Sequence, residues 1–393
     1  MRPLLYVLVD AVRHDYVGPD RTPYLAGLGA ERGLTRMRPL LGYSDSIRAA
    51  IFTGAYPDET GYWMEYCFRP QETPLAPYAR LAPLDALPWD FARRGTKFVL
   101  SQTAVRRTAE QYGYRHLSLR HLPFRSLGEF DWTLRGDMSD DGALGVPSIF
   151  DQVSSAGLRW EYLDSSKLRV RELLRRIEEV DQETAFLFVY LHHVDMASHL
   201  FGIESRLFER VLRRTDGLVA AVVDRATKRL PGVDVNVFSD HGMSPVDHVA
   251  SYPALWRHPA FPTRFCFALD ATMVRLWFHD DAPELRNEIR ATVAAGAPGR
   301  FLPQNELAAL HLDFDDRLYG DEIYLLEPRT AIFPNFHSLL KPKAMHAYHP
   351  DDPEQQGIAI GLPSTAGTTE LVDLAPHAVR TLGLEPTQLA LAV

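Results

Sequence analysis

Three carboxylates and three imidazoles are the residues in this 393-residue chain whose types and spacing could do chemistry. Asp10, Asp195 and Asp240 each stand just past a short apolar run that reads as a strand. In an open α/β sheet, the carboxyl edge of the strands is where ligands bind. Three carboxylates at one edge are unfavourable unless a cation neutralises them. Asp195 and His199 are four residues apart, so on a helical turn both face the same way and can grip one metal ion. Asp240 is followed directly by His241, and His346 offers a third ring. Oxygen and nitrogen donors without thiolate suit zinc, with manganese as the alternative. Taken singly, an Asp-x-x-x-His or Asp-His pair is more often a chance or surface pairing, and Asp10 reads equally well as a helix cap. The set points to a metal centre.

A hydroxyl joins the set. Ser44 lies at the expected start of a short helix, where backbone N–H groups and the positive dipole end favour an anion. A serine there is ordinarily a cap. Ser46 can take that role instead, leaving Ser44 free.

These residues need a scaffold at whose edge they can meet. The run Leu4–Val9 reads as a buried strand, and Thr22 as the cap of a helix with Pro23 at its first position, running to Arg32. Strands are expected at 34–40, 159–163, 186–191 and 233–238. Helices are expected at 46–52, 148–156, 169–180 and 206–229. Strands alternating with helices imply a mostly parallel sheet covered on both faces. Residues 62–145 differ in texture, rich in aromatics and arginines, with 97–101 as a strand returning to the sheet. Residues 267–327 read as a smaller α+β insertion, with strands at 273–278 and 322–326 and a helix at 283–295. Residues 356–392 return to the core pattern.

Composition bounds the function. Apolar residues make up 46% and charged residues 24%, ordinary for a globular chain, and the net charge of −9 argues against a nucleic-acid polymer as partner. Cys67 and Cys266 read as buried packing thiols, neither a disulfide scaffold nor a CxxC metal site. No apolar stretch reaches the ~20 residues of a membrane span, and no secretory leader is visible. A soluble cytoplasmic protein with no membrane partner is expected.

With these motifs in order, the chain resembles the alkaline phosphatase superfamily, and within it the type I phosphodiesterase/nucleotide pyrophosphatase branch. The resemblance rests on the strand ending in Asp10, on Thr22-Pro23-Tyr24-Leu25, and on the segment from Thr53-Gly54 to Gly61. It continues through Asp195-x-x-x-His199, Ser239-Asp240-His241-Gly242-Met243 and Met345-His346-Ala347-Tyr348. The resemblance implies an alkaline-phosphatase-like α/β fold, its mostly parallel sheet flanked by helices on both faces and carrying cap insertions. The discontinuous catalytic core would be 1–69, 146–266 and 328–393, with caps at 70–145 and 267–327. It also implies a two-metal hydrolase acting through a phosphoseryl intermediate on a small anionic phosphate ester. Asp10, Ser44, Asp240 and His241 would hold one divalent ion, and Asp195, His199 and His346 the other. Ser44, nine residues before Thr53-Gly54, takes the nucleophile's place. His337 and His349 compete for the last ligand position, and the Met-His-x-Tyr match favours His346.

There are departures. The branch usually carries threonine as nucleophile and an asparagine soon after; here Ser44 is followed by Ile47 and Arg48. Arg48 becomes the candidate phosphoryl contact, and Tyr43, Tyr62 and Trp63 the candidate substrate contacts. An arginine four residues after the nucleophile is sulfatase-like. A phosphomonoesterase, phosphonate hydrolase or sulfatase-like enzyme on the same scaffold is therefore the alternative. A binding protein without turnover is the third class, disfavoured by the full ligand set.

Overall fold

The structure is a computed structural model. It describes residues 2–70, 72–86, 90–114, 119, 121–314, 316–338 and 340–385, with backbone alone over 90–94. The described chain divides into two compact units. The first comprises Met1–Thr60, Leu144–Pro245 and Lys343–Val393, and the second Gly61–Ala143 and Val246–Pro342. The second unit takes in nearly all of 70–145 and 267–327, together with 61–69, 246–266 and 328–342, which the sequence reading assigned to the catalytic core.

The first unit is built on a seven-stranded sheet. Its strands run, in spatial order, Thr368–Glu370, Leu34–Arg38, Gly357–Ile360, Asp234–Phe238, Leu4–Val9, Thr184–Leu191 and Arg159–Asp164. Gly357–Ile360 is antiparallel to both neighbours, and every other pairing is parallel. The central strands Leu4–Val9 and Thr184–Leu191 are buried along their whole length. Continuous apolar runs are what a parallel strand needs when helices cover both faces. The long helix Arg206–Arg229 turns Phe208, Leu212, Val219, Val222 and Ala226 inward at helical spacing. This is the mostly parallel, helix-flanked α/β fold expected from the sequence.

Two local readings change. The helix Pro23–Arg32 begins where expected, but Thr22 does not cap it through its hydroxyl. That hydroxyl donates to Tyr16 O at 3.0 Å, while the Asp216 carboxylate accepts from Tyr24 N at 3.0 Å and Leu25 N at 2.9 Å. A buried carboxylate on the neighbouring helix satisfies the free amides better than the local hydroxyl. Residues 97–101 are helical, inside Asp90–Gln102, and form no strand. Lys97 is buried there, its Nζ donating to Leu122 O, while Phe98 and Val99 face solvent.

The second unit carries a four-stranded antiparallel sheet. In order, its strands are Phe265–Leu269, Met273–Phe278, Glu322–Leu326 and Gly299–Phe301. The antiparallel strand pair Tyr66–Phe68/Phe130–Trp132 belongs to it as well. Both cysteines lie here, buried and free. No helix among the described residues is long and apolar enough to cross a membrane.

Candidate active site

The register of the central strands brings the carboxylates together. Val9 lies opposite Leu191, and Leu8 opposite both Tyr190 and Phe238, so three strands end at one edge of the sheet. Asp10 follows the first strand and Asp240 the third. Asp195 and His199 stand on the helix His193–Phe201 that follows the second, one turn apart, with Nε2 to Oδ1 at 3.1 Å. His241 Nε2 lies 3.3 Å from Asp10 Oδ1 and 3.7 Å from Asp240 Oδ2. The His346 ring stacks on His241, centroids 3.7 Å apart, and its Nε2 is 4.0 Å from Asp195 Oδ1. Asp10, Asp240 and His241 thus form one group that could hold a metal ion, and Asp195, His241 and His346 another. His241 is common to both groups.

The chain bends sharply at two of these positions. Ala11, directly after Asp10, has φ 61°, and Ala347, directly after His346, has φ 67°. A left-handed non-glycine residue costs about 1–2 kcal/mol and persists where the surroundings enforce it. The bend at Ala11 aims Val12 N at Ser239 Oγ, 2.8 Å away, and Ser239 Oγ donates to His241 O at 2.9 Å. One serine therefore ties the Asp10 loop to the Asp240–His241 loop.

The rings are oriented from behind. His241 Nδ1 donates to Gly242 O at 2.8 Å, and His199 Nδ1 to Ala344 O at 2.8 Å. Each arrangement turns Nε2 toward the carboxylates, as an outer hydrogen bond does for a metal-binding histidine. Tyr190 donates its hydroxyl to Asp10 Oδ2.

The electrostatics show what the cluster lacks. Burial, then the Asp240 and Asp195 carboxylates, push Asp10 well above the usual carboxylate range. Burial and the His241 ring hold His346 well below the ordinary imidazole value. For Asp195, burial acts upward, but His199, His346 and His241 outweigh it and hold the carboxyl low. Among the described residues, Asp10 Oδ1, Asp195 Oδ1, Asp240 Oδ2, His241 Nε2 and His346 Nδ1 are buried and find no hydrogen-bond partner. Buried polar atoms are normally satisfied, and convergent orphaned carboxylate and imidazole atoms fit divalent cations.

The helix bearing Ser44 spans Ser44–Thr53, two residues longer at its start than expected, with Tyr43 as its extended N-cap. Neither serine caps it through a hydroxyl: Ser46 Oγ donates to Tyr43 O at 2.8 Å, and Ser44 sits at the first helical position. The Tyr43 ring meets His346 edge-on at 5.7 Å, which brings the helix start beside the cluster. Arg48 pairs with Asp45, donates to Ser44 O at 3.3 Å and lies 5.3 Å over the Tyr190 ring. Ile47 is buried.

Asp10, Asp195, His199, Asp240, His241 and His346 thus gather, and the Ser44 helix starts at their side. His349 turns toward Asp351 at 3.7 Å. His337 lies in the second unit, clasped by Asp270 at 2.8 Å and Glu65 at 3.2 Å. Tyr62 and Trp63 are buried in that unit, Trp63 against Phe314 and Tyr319. Sequence reasoning missed Tyr190 and Ser239. A signal for Tyr190 existed, because a tyrosine near the end of a wholly buried strand must find a partner for its hydroxyl.

The type I phosphodiesterase / nucleotide pyrophosphatase family matches residues 4–259 of the chain. No curated protein matches it. Among solved structures, human ectonucleotide pyrophosphatase / phosphodiesterase 5 aligns with a TM-score of 0.68 at 12% identity, covering 99% of this chain and 96% of that one. An inactive variant of the murine protein, in complex with AMP, aligns with a TM-score of 0.68 at 14% identity, covering 99% and 97%. The murine protein itself aligns with a TM-score of 0.67 at 14% identity, over the same shares. At these identities the likeness is one of fold.

Proposed function

Because this chain belongs to the type I phosphodiesterase / nucleotide pyrophosphatase family and is a phosphoric ester hydrolase, we propose that it cleaves a small phosphodiester or pyrophosphate through Ser44, at a centre for two divalent cations, zinc before manganese. The observation that carries this reading is the set of buried carboxylate and imidazole atoms at one sheet edge that, among the described residues, have no hydrogen-bond partner and no lysine or arginine side chain bonded to them. Asp10, Asp240, His241 and Ser44 would hold one ion, and Asp195, His199 and His346 the other. His241, shared between the two groups, stands at their boundary. When bound, the cations would supply positive charge that favours the deprotonated hydroxyl and offsets charge on the phosphoryl and leaving oxygens.

The chain's own residues do the rest. Ser44 presents its hydroxyl at the first turn of a helix, where free amides and the dipole favour the phosphoryl group. Its proton leaves to solvent, the Oγ–P bond forms and the bond to the leaving oxygen breaks. Water then cleaves the phosphoseryl Oγ–P bond and restores the serine. Tyr190 and Ser239 position Asp10 and His241. Arg48 orders the first turn through Asp45 and Ser44 O, and contacts phosphoryl oxygens once Asp45 releases it. Tyr43, beside His346, is the aromatic placed to contact the substrate. The AMP held by the murine relative supports a nucleotide-like substrate.

A second reading, phosphomonoester or phosphonate hydrolysis, is favoured by buried Ile47, which leaves the turn after Ser44 without a side-chain amide. Rates on bis-nitrophenyl phosphate, nitrophenyl phosphate, phenylphosphonate and nitrophenyl sulfate separate the readings; diester preference is expected. Chelator should abolish turnover and zinc restore it. Activity indifferent to chelator would overturn the metal assignment.

A further inference from the structure

Glu129, Cys266 and His279 converge in the second unit from three chain segments. A carboxylate oxygen, the thiol and a ring nitrogen all lie within 4.8 Å of one another. The sheet explains two of them. Cys266 pairs with Trp277 across the antiparallel hairpin, and His279 is two residues beyond Trp277. Residues at i and i+2 share a face, so thiol and imidazole are diagonal neighbours on it. His279 N donating to Arg264 O at 2.9 Å extends that register past the strand end.

The antiparallel strand pair Tyr66–Phe68/Phe130–Trp132 delivers the carboxylate. Arg69 N donates to Glu129 O at 2.9 Å, just beyond the Phe68–Phe130 pair. The Phe68 ring stacks on Trp277 at 5.4 Å and meets His279 edge-on at 5.8 Å, seating this end of the strand pair on the same face.

The three groups are left over chemically. Among the described residues, the Glu129 carboxylate and the His279 ring make no hydrogen bond or ion pair, and Cys266 Sγ has only a 3.8 Å contact to Pro262 O. The charged neighbours are already matched to each other: Arg264 with Asp280 at 2.7 Å, and Arg317 with Asp321 at 2.6 Å. Cys266 is fully buried, Glu129 half-buried and His279 exposed. A thiol, an imidazole and a carboxylate form the mixed sulfur, nitrogen and oxygen donor set that zinc takes at tetrahedral sites.

We propose that Glu129, Cys266 and His279 form a further zinc site, separate from the sheet-edge cluster, with solvent entering on the exposed His279 side as fourth ligand. Binding replaces the Cys266 thiol proton, which passes to the buffer. The site does not depend on the catalytic reading, because its donor set contains sulfur and the sheet-edge set does not.

Cobalt substitution tests it on the full chain. The Co2+-loaded protein is expected to show a near-ultraviolet sulfur-to-cobalt charge-transfer band. The band should vanish in Cys266→Ser and persist in Cys67→Ser. His279→Ala, at an exposed position, should weaken the cobalt affinity read from that band by roughly tenfold or more. Should Cys266→Ser fail to fold, the His279→Ala titration decides alone. A native protein without the band, a band lost in Cys67→Ser instead, or an affinity unchanged by His279→Ala overturns the proposal.

Discussion

Asp10 and Asp270 are both fully buried carboxylates, and their partners differ in kind. Asp270 has the Arg275 guanidinium at 2.7 Å and the His337 ring at 2.8 Å, and against the pull of burial these hold its carboxyl down to about 2. Asp10 has a tyrosine hydroxyl and a histidine, and burial holds it up. A buried carboxylate without a protein cation is the residue-scale mark of a place for a metal. Replacing Tyr190 by Phe removes the hydroxyl on Asp10 and keeps the ring. Metal affinity, titrated against a chromophoric chelator, should fall roughly 10–100-fold with the fold retained. An unchanged affinity would mean that Tyr190 does not position Asp10. Ser44→Ala should lower turnover by at least roughly 10³-fold while metal content stays at the native level; near-native turnover would remove Ser44 from the nucleophile role.

At the scale of elements, the site is a meeting of loops, and close approach is what lets them meet. Gly242 follows His241 with its N–H on Gln355 O at 2.6 Å, and a Cβ there would stand 2.2 Å from Glu354 O and 2.9 Å from Arg13 Cγ. A backbone neighbour cannot yield as a side chain can. Gly242→Ala should destabilise the first unit by about 1–3 kcal/mol in denaturant melts and displace the His241 ring, weakening metal binding with it. Native stability and native metal affinity together would show that this approach is not needed. The residue pattern of the chain made the strands and helices legible: Arg206–Arg229 and Glu322–Leu326 have the bounds their periodicity implies. The run 97–101 did not read correctly, because its inward group is the ammonium of Lys97 on a distant carbonyl. Apolar periodicity carries no sign of such a bond. The capping of Pro23–Arg32 by Asp216 was hidden for the same reason: the partner is 191 residues away.

Over the whole molecule, the two units settle buried charge in opposite ways. In the second unit the buried Asp270 carboxylate is matched by the unit's own cations. Burial alone would depress His337; Asp270 and Glu65 outweigh that and lift it to about 8. The charged and titratable groups that face it include Asp270, Glu65, the Tyr66 ring and, through Asp270, Arg275. A histidine whose folded pKa exceeds its unfolded value of about 6.5 contributes stability that is complete below that pH and is lost as pH rises through 8. Asp270 works the other way: its contribution is complete above an unfolded value of about 3.9 and is lost as pH falls toward 2. The denaturant midpoint of the second unit should therefore decline between pH ~6.5 and 8 in the native protein and stay flatter across that window in His337→Gln. Parallel profiles would detach His337 from the effect.

Residue types and spacing alone determined the α/β fold class and the candidate carboxylates and imidazoles near strand ends. Each of these is local: apolar runs report burial, and four-residue spacing reports a shared helical face. Ser44 as nucleophile rests on the family resemblance, because neither serine caps the helix through its hydroxyl. The family resemblance already favoured His346; tertiary structure alone decided that His337 answers to Asp270 and Glu65. It likewise decided that Tyr190 holds Asp10, that Ser239 ties the Asp10 loop to the His241 loop, and that Cys266 has Glu129 and His279 beside it. Those outcomes depend on contacts between residues remote in the chain, and such pairings leave no periodic trace in the order of amino acids.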